Sequence, residues 1–300
     1  MDNFGHLVRF FLYFCMSKIA CRYTDRSNKN PKHQEMAIKV LYINQEITPY
    51  VPENEMSLMG KLLPQSMQER GFEIRTFMPK WGTINERRGM LHEVQRLSGM
   101  NLIIDDTDHP LIIKVASIPV SRLQVYFIDN DDYFQSRLQL TDENGDEYDD
   151  NDERTIFYDR GVLETVKKLR WRSDIIHCHG CITALVPLYI KKTYCDEPSF
   201  MDSKIVYSLY GNEFNKSFSE SFTQKVMVKG VEKEDLGTIA EPINFIQLSK
   251  LAIDHADAVV QQTPDVDPEL IAYAKQSGKP FLPYQEDNML QAISDFYDTI

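Results

Sequence analysis

Apolar and polar positions follow first a strand period and then a helix period over residues 38–78. The run Ile38–Ile43 is short and rich in β-branched residues, which predicts a strand. Apolar residues then recur at helical spacing before Gly71, namely Leu58, Met59, Leu62, Leu63 and Met67. Phe72–Met78 predicts a second strand. Strand, helix and strand in succession form a βαβ unit, which favours a parallel sheet with a right-handed crossover.

Residues 91–128 have a different pattern. Four short β-rich runs follow one another without a long helix between them: His92–Leu97, Asn101–Ile104, Leu111–Ile118 and Gln124–Ile128. Because parallel strands need a long crossover between them, we expect an antiparallel excursion here before the main sheet resumes.

Helix and strand periods alternate again from residue 155 onwards. The predicted helices are 155–170, 182–190, 243–255, 268–276 and 288–297, and the predicted strands are 174–177, 204–209, 258–261 and 279–284. No repeat or low-complexity linker divides residues 36–300, so we expect a single α/β domain with a Rossmann-like, doubly wound, mostly parallel sheet.

The first 35 residues do not continue this pattern. Leu7–Met16 is apolar apart from Arg9, but it is shorter than the ~20 residues that a membrane span needs. Asp2 and the missing cleavage site argue against a signal peptide, and Tyr23–Glu35 is polar. We expect residues 1–35 to be a disordered or dispensable leader, with Met36 immediately before the first strand.

Charge and cysteine content exclude several partner classes. Lys and Arg number 33 against 45 Asp and Glu, a net charge of −12 without a basic cluster, which argues against nucleic acid and anionic membranes. A neutral sugar polymer would be indifferent to this charge. Five cysteines form an odd, sparse set and not a disulfide framework, which indicates a reducing cytoplasm.

The densest reactive chemistry lies in the segment 174–190. Asp174–His177 predicts the end of a buried strand, Cys178–Cys181 a tight polar turn, and Ile182–Ile190 the following helix. Ligands of open α/β sheets bind at the carboxyl ends of strands, so we expect the site here. His177 and His179 alternate along the strand end, and we expect one to face the crevice and the other the packed side.

The same turn supports two other interpretations. Cys178 and Cys181 form a C-x-x-C pair at a helix N-terminus, where thiolates are stabilised, and thioredoxin-like redox chemistry is therefore an open alternative. Zinc binding is disfavoured because such sites draw on two separated ligand pairs. P-loop, G-x-G-x-x-G and G-x-S-x-G motifs are absent from the sequence, and we expect no metal and no cofactor.

An acidic tract between Asp142 and Glu153 has the ligand spacing of a calcium loop. Glu147 stands where a calcium loop needs glycine for its sharp turn, and no predicted helix precedes the tract. We therefore predict a solvated loop.

Several segments resemble the N-terminal half of bacterial glycogen synthases and plant starch synthases. The matching segments are Leu63-Pro64, Glu69–Arg75, Met78–Gly82, Val125–Asn130 with Tyr133-Phe134, Asp150–Arg154, Trp171–Leu188 and Asn244–Val260. The resemblance implies one half of a two-domain (GT-B) glycosyltransferase, an enzyme that transfers glucose from ADP-glucose to an α-1,4-glucan. Such a half holds acceptor glucan, while the nucleotide-binding half is expected elsewhere.

The reactive motifs depart from the family pattern. The family loop after strand one carries lysine, any residue and two glycines, whereas this chain has Pro52-Glu53-Asn54-Glu55. Two carboxylates in place of a cation would repel a diphosphate. The family motif His-x-His-Asp-Trp keeps His177 and His179 but has Gly180 and Cys181 at its end, and Tyr210-Gly211 replace a His-Asn pair.

The resemblance and the residue types together suggest a set of sugar contacts. The candidates are Glu46, Asp129, Asn130, His177, His179, Tyr210 and Asn212, since planar amides, acids and neutral imidazoles bind hydroxyl pairs. The alternative is that each has only a framework or turn role. We expect weak binding of α-glucan or nucleotide sugar by a catalytically impaired module, with half of a split active transferase as the alternative.

Overall fold

A computed structural model describes residues 37–237, 239 and 242–300. The leader predicted for residues 1–35 lies outside these described residues. In the described part of the chain, no helix combines the length and the apolar character that crossing a bilayer requires.

The described residues form ten strands in one connected arrangement. The strands are β1 (Lys39–Asn44), β2 (Glu73–Pro79), β3 (His92–Glu93), β4 (Met100–Ile104), β5 (Thr107–Ser117), β6 (Gln124–Asp129), β7 (Ile175–His179), β8 (Lys204–Leu209), β9 (Ala258–Gln261) and β10 (Phe281–Leu282).

The described residues also form eight α-helices, which lie between the strands or, in the case of the last one, after β10. They are α1 (Glu55–Glu69), α2 (Glu86–Gly89), α3 (Asn151–Leu169), α4 (Val186–Lys192), α5 (Phe222–Val226), α6 (Phe245–His255), α7 (Pro268–Gln276) and α8 (Met289–Tyr297). Two 3₁₀ turns, Cys181–Thr183 and Lys233–Leu236, supplement them.

The strand order is β10-β9-β8-β7-β1-β2-β6-β5-β3, and β4 pairs with β5. All neighbours from β10 to β6 are parallel, while β5 pairs antiparallel with β6, β3 and β4. The antiparallel excursion and the mostly parallel α/β sheet are therefore confirmed. Because β1 lies between β7 and β2, the chain reverses its winding direction there, and ligands of open α/β sheets bind at such switch points.

Helices cover both faces of the sheet. Side chains at Val40, Tyr42 and Ile175 pack with α1 and α8 in a smaller core. The alternate positions, including Leu41 and Ile176, pack with α3, α4, α6 and α7 in the larger core. Period-two alternation along β1 and β7 thus assigns each strand residue to one of two cores.

Several predicted elements differ from the structure. The strand predicted for Asp174–His177 is Ile175–His179, so Cys178 and His179 belong to β7 and not to the predicted polar turn. The helix predicted for 155–170 begins at Asn151, and the strand predicted for 279–284 is limited to Phe281–Leu282.

The strand predicted for His92–Leu97 ends at Glu93, because Val94 begins a turn whose carbonyl accepts the N–H groups of Leu97 and Ser98. The helix predicted for 182–190 is a 3₁₀ turn followed by α4. Pro187 cannot donate a helical hydrogen bond, so it is tolerated only in the first turn of a helix that begins at Val186.

Candidate functional site

The carboxyl ends of β1, β7 and β8 meet at the centre of the sheet. Asn44, the last residue of β1, is in register with His179, the last residue of β7, which is in register with Ser208 of β8. Polar residues follow each strand, so three separated segments place side chains together. We call this group the strand-end cluster, and it consists of Gln45, Glu46, His179, Tyr210 and Glu213.

His177 and His179 lie on the same face of β7. Their ring centroids are 4.1 Å apart. The expectation that one faces the crevice and the other the packed side is wrong, because alternation separates adjacent residues of a strand and not residues two apart. Cys178, between them, lies in the larger core on the opposite face.

His177 has partners at both ring nitrogens. Its Nδ1 is 2.6 Å from the hydroxyl of Tyr297, and its Nε2 is 2.8 Å from the hydroxyl of Ser208. The Tyr297 hydroxyl lies 3.1 Å from that of Tyr42. Burial lowers the pKa of His177, and His179 lowers it further, so the ring is neutral. Both ring nitrogens of His177 are therefore engaged within the chain, and its role as a sugar contact stays a prediction.

His179 has a partner at only one ring nitrogen. Its Nδ1 lies 2.9 Å from the hydroxyl of Tyr210. Its Nε2 is buried and has no hydrogen-bond partner among the described residues. Burial lowers the pKa of His179 to about 3, so the imidazole is neutral at physiological pH. His179 is 1% exposed, so a sugar hydroxyl can satisfy this unpaired nitrogen only when the residues that cover it move aside.

Glu46 and Asn54 connect the end of β1 to the start of α1. The Glu46 carboxylate accepts a hydrogen bond from Asn54 Nδ2 at 2.5 Å. Asn54 caps α1 by accepting the N–H of Ser57, whose hydroxyl accepts the N–H of Asn54 in return. Burial raises the pKa of Glu46, and the Asn54 bond offsets only part of that rise. The exposed Glu53 and Glu55 flank this closed helix terminus.

Glu213 is a site residue that the sequence analysis missed. Both carboxylate oxygens accept the N–H of Cys181, at 2.9 and 3.1 Å. Burial raises the pKa of Glu213 to about 7, and the charge of Glu46 adds to the rise. The one sequence signal for it is its place shortly after β8, at the same sheet edge as His179.

Tyr210 and Asn212 have different environments. Tyr210 is 4% exposed and its hydroxyl bonds to His179, so its ring cannot stack on a sugar. Asn212 is exposed, and its Nδ2 donates to Asn215 Oδ1 at 2.8 Å. Tyr210 belongs to the strand-end cluster, whereas Asn212 lies in the surface loop beyond it.

Asp129 lies at the end of β6, two strands away from β1, with β2 between them. Its carboxylate pairs with Lys114 Nζ at 2.8 Å, and the same ammonium lies 2.6 Å from Glu86. Lys80 approaches Glu86 to 3.1 Å. We call Lys80, Glu86, Lys114 and Asp129 the paired cluster. Because its charges are satisfied internally, the expectation that Asp129 joins His179 and Tyr210 in a sugar site is not supported.

Asn130 has a turn role next to the paired cluster. Its Oδ1 accepts the N–H groups of Asp132 and Tyr133, and its Nδ2 donates to the carbonyl of Pro110 at 2.9 Å. Asn130 is fully buried, and Tyr133 is 2% exposed. Neither residue lies within the strand-end cluster.

The two cysteines of the C-x-x-C motif are buried free thiols. Burial raises the pKa of Cys178 and Cys181 well above the ordinary value, and neighbouring carboxylates raise both further. Thioredoxin-like chemistry needs the opposite direction. The N–H of Cys181, which could stabilise a thiolate, is engaged by Glu213.

The acidic tract satisfies its carboxylates with the backbone of the chain. Asp142 Oδ1 accepts the N–H groups of Asn144 and Asp146 at 2.8 and 3.0 Å. Glu147 accepts those of Asn215 and Lys216 at 2.7 and 2.8 Å. Throughout the described ranges, no group of three or more His, Cys, Asp or Glu is placed to hold a metal ion.

An open cavity of about 750 Å³ lies beside the last turn of α3, at the amino ends of the parallel strands and thus opposite the strand-end cluster. The basic residues that line it lie at the carboxyl terminus of α3, where positive charge is stabilised by the helix dipole; they are Lys167, Lys168, Arg170 and Arg172. Lys167 pairs with Glu164, and Arg172 pairs with Asp202. The cavity contains no member of the strand-end cluster, which remains the candidate site.

Comparison with known proteins agrees with this architecture. The glycogen synthase of Chlorobaculum parvum is 33% identical over 268 residues, which cover 87% of this chain and 52% of that protein. The glycogen synthase of Chlorobium limicola is 40% identical over 173 residues, or 57% of this chain and 35% of that protein. The chain thus spans about half the length, or less, of these relatives.

A solved structure has the same fold. It is the catalytic domain of Starch Synthase IV from Arabidopsis thaliana bound to ADP and acarbose, with a TM-score of 0.67 and 17% identity over 82% of this chain and 51% of that one. The expected GT-B type of fold is confirmed. The family model described as "Starch synthase catalytic domain" matches residues 39–279. This chain therefore belongs to the starch synthase catalytic domain family.

Proposed function

We propose that this protein is a glucan-binding or regulatory module of glycogen metabolism, impaired in the transferase reaction of its relatives. The observation that carries the proposal is the charge of the strand-end cluster. Glu46 and Glu213 both have raised pKa values. No ion pair of the described residues includes either carboxylate.

A sugar diphosphate is a poor ligand for such a crevice. Transfer from a nucleotide sugar needs an electrostatic clamp on the departing diphosphate. The first turn of α1 could supply N–H donors, but Asn54 and Ser57 cap it internally. Pro52 stands where the family loop has its lysine, Glu53 and Glu55 add two carboxylates beside it, and like charges disfavour a phosphate there.

A neutral glucan suits the same groups better. The unpaired Nε2 of His179 can donate to or accept from a hydroxyl, and the Glu46 carboxylate accepts hydroxyl protons. Neither contact requires a charge on the ligand. Weak binding is expected, because few groups converge and the aromatic ring of Tyr210 is covered.

Co-sedimentation with glycogen tests the binding claim. The protein should pellet with glycogen, and His179→Ala should weaken the binding by about tenfold, a loss expected for one or two hydrogen bonds. His92→Ala is the matched control, because His92 is exposed on β3, far along the sheet from the strand-end cluster. Equal binding by both variants would remove His179 from the site.

Incubation with ADP-glucose or UDP-glucose and glycogen tests the impairment claim. We expect no glucose incorporation by the protein alone. Turnover in the range of ordinary enzymes, about 1 s⁻¹ or more, would overturn the proposal.

A second candidate is that these residues form one half of an active glucosyltransferase whose nucleotide-binding half is on another chain. The span of about half of the relatives' length favours it. This candidate predicts that adding a separately produced nucleotide-binding half restores incorporation from ADP-glucose, whereas the proposal above predicts none in the mixture.

A further inference from the structure

The turn after β7 uses its backbone donors within the chain. Gly180, with a φ of 93°, redirects the backbone into the 3₁₀ turn Cys181–Thr183. The N–H of Cys181 donates to both oxygens of Glu213, and the N–H of Ile182 donates to Gln45 Oε1 at 3.1 Å. A Cβ at Gly180 would lie 2.7 Å from the Gln45 side chain, so Gln45 closes the other side of the turn.

Glu213 also adds negative charge to the crevice. Glu46 and Gln45 face it from the end of β1, Cys181 from the turn after β7, and Tyr207 and Tyr210 from β8. None of these groups carries a positive charge. Burial and the Glu46 charge keep the pKa of Glu213 at about 7, despite the hydrogen bonds from Cys181.

We propose that Glu213 is a specificity-determining residue of the crevice, which selects neutral sugars over sugar phosphates by occupying the N–H of Cys181 and presenting a carboxylate. This inference rests on the function proposed above and names the ligand class that the same site excludes. An anionic ligand is repelled by the carboxylates of Glu213 and Glu46. It also finds the N–H of Cys181 already occupied, although this group could otherwise donate to an anion. A neutral glucan has no charge for these carboxylates to repel, and its hydroxyls can donate to them.

The exclusion depends on the ionisation of Glu213. Above about pH 7 the carboxylate is charged and repels an anion; below that pH it takes up a proton and the repulsion falls. The diphosphate of ADP-glucose keeps its charge across this range, so a change in its affinity with pH reports on the protein. Affinity for maltoheptaose should not follow the same titration.

Calorimetry with ADP-glucose and with maltoheptaose, at about pH 6 and about pH 8, tests the inference. The wild-type affinity for ADP-glucose should rise about tenfold as the pH falls, whereas Glu213→Gln should bind it equally at both values. At the higher pH, Glu213→Gln should bind ADP-glucose about tenfold more tightly than wild type. Maltoheptaose carries no charge, so wild type should bind it with the same affinity at both pH values.

Glu220→Gln is the matched control, since it removes the same charge from an exposed position of the loop after β8 and should behave like wild type. Glu46→Gln is a second variant that leaves the bond between Glu213 and Cys181 in place. It should shift the pH transition to lower values, because it removes the charge that raises the pKa of Glu213.

Two outcomes overturn the inference. One is that Glu213→Gln binds ADP-glucose no better than wild type at the higher pH, including the case in which neither binds. The other is that the pH dependence persists in Glu213→Gln. Failure of maltoheptaose to bind wild type overturns the proposed function, and this outcome is read from a separate titration.

Discussion

The strand-end cluster and the paired cluster both lie at the carboxyl ends of the parallel strands, and each combines one buried with one half-buried carboxylate: Glu46 with Glu213, and Asp129 with Glu86. They differ in whether a lysine pairs with these carboxylates. In the paired cluster, Lys114 reaches both Asp129 and Glu86, and Lys80 adds a second contact. In the strand-end cluster, Glu46 accepts a hydrogen bond from Asn54, and Glu213 has hydrogen bonds with the backbone and side chain of Cys181 and with the side chain of Gln45.

This difference separates carboxylates that hold the fold together from carboxylates that are available to a ligand. Burial would raise the pKa of Glu86, but Lys114 and Lys80 bring it below its ordinary value. The pKa values of Glu46 and Glu213 stay raised, and so does that of Asp129, whose burial outweighs its pair with Lys114; the clusters therefore differ in their ion pairs and not in every pKa. Uncompensated buried charge lowers the stability of the folded state, so its concentration at a strand-end crevice points to a functional site.

The largest expected effect comes from breaking the paired cluster. Lys114→Met would leave Asp129 and Glu86 with only Lys80 nearby, and the free energy of unfolding should fall by about 3 kcal/mol at neutral pH. The loss should shrink in acid, as Asp129 takes up a proton. Urea denaturation at both pH values measures it.

Lys167→Met is the control for this change. Lys167 pairs with Glu164 on the surface and its side chain is 46% exposed, so its removal should cost about 0.5 kcal/mol or less. If Lys167→Met lowered the free energy of unfolding as much as Lys114→Met, the paired cluster would contribute no more to stability than a surface ion pair.

The next largest effect is expected in the strand-end cluster, where a substitution should raise the free energy of unfolding and not lower it. The pKa of Glu213 rises from 4.5 to about 7 on folding, so its favourable contribution is complete below 4.5 and is lost as the pH rises through 7. Glu213→Gln should therefore be about 2 kcal/mol more stable than wild type at about pH 8. The advantage should vanish near pH 4.5, with Glu220→Gln as the neutral control.

A smaller effect distinguishes the two histidines. Tyr297→Phe removes the hydroxyl that contacts His177 and Tyr42, and it should lower the free energy of unfolding by about 1–2 kcal/mol. Tyr210→Phe frees the Nδ1 of His179 and should weaken glycogen binding by about threefold. If Tyr297→Phe changed binding as much as Tyr210→Phe, His177 would have to be counted in the site.

The smallest effect is expected in the acidic tract. Because Asp142 and Glu147 already accept backbone N–H groups, millimolar calcium should leave the thermal midpoint unchanged. Differential scanning fluorimetry with calcium and with magnesium checks this, and a rise specific to calcium would contradict the solvated-loop prediction.

Local patterns were sufficient for most of the fold. The strands Lys204–Leu209 and Ala258–Gln261 and the helix Pro268–Gln276 have the predicted bounds, since alternation, a proline start and polar ends all agree there. The resemblance to glycogen synthases is also confirmed. The strand-end position of His179 had already indicated where to look for the site, and the resemblance added Tyr210 at the adjacent strand end.

Side-chain contacts between residues far apart in the sequence could not be predicted from local patterns. Asp129 and Lys114 meet only because β5 runs antiparallel to β6, and neither residue marks the other in the chain. Glu213 was missed because a single acid after a strand resembles any loop residue until the Cys181 N–H is found beside it. The single domain over residues 36–300 remains a prediction, as does a cytoplasmic location.

Tyr297 sits in the last turn of α8, yet it touches His177 at the middle of the sheet. Because the Tyr297 hydroxyl contacts one ring nitrogen of His177, detachment of α8 from the sheet would expose to water a residue only two positions from His179. The packing of this helix against the smaller core therefore keeps the interior of the central strands dry.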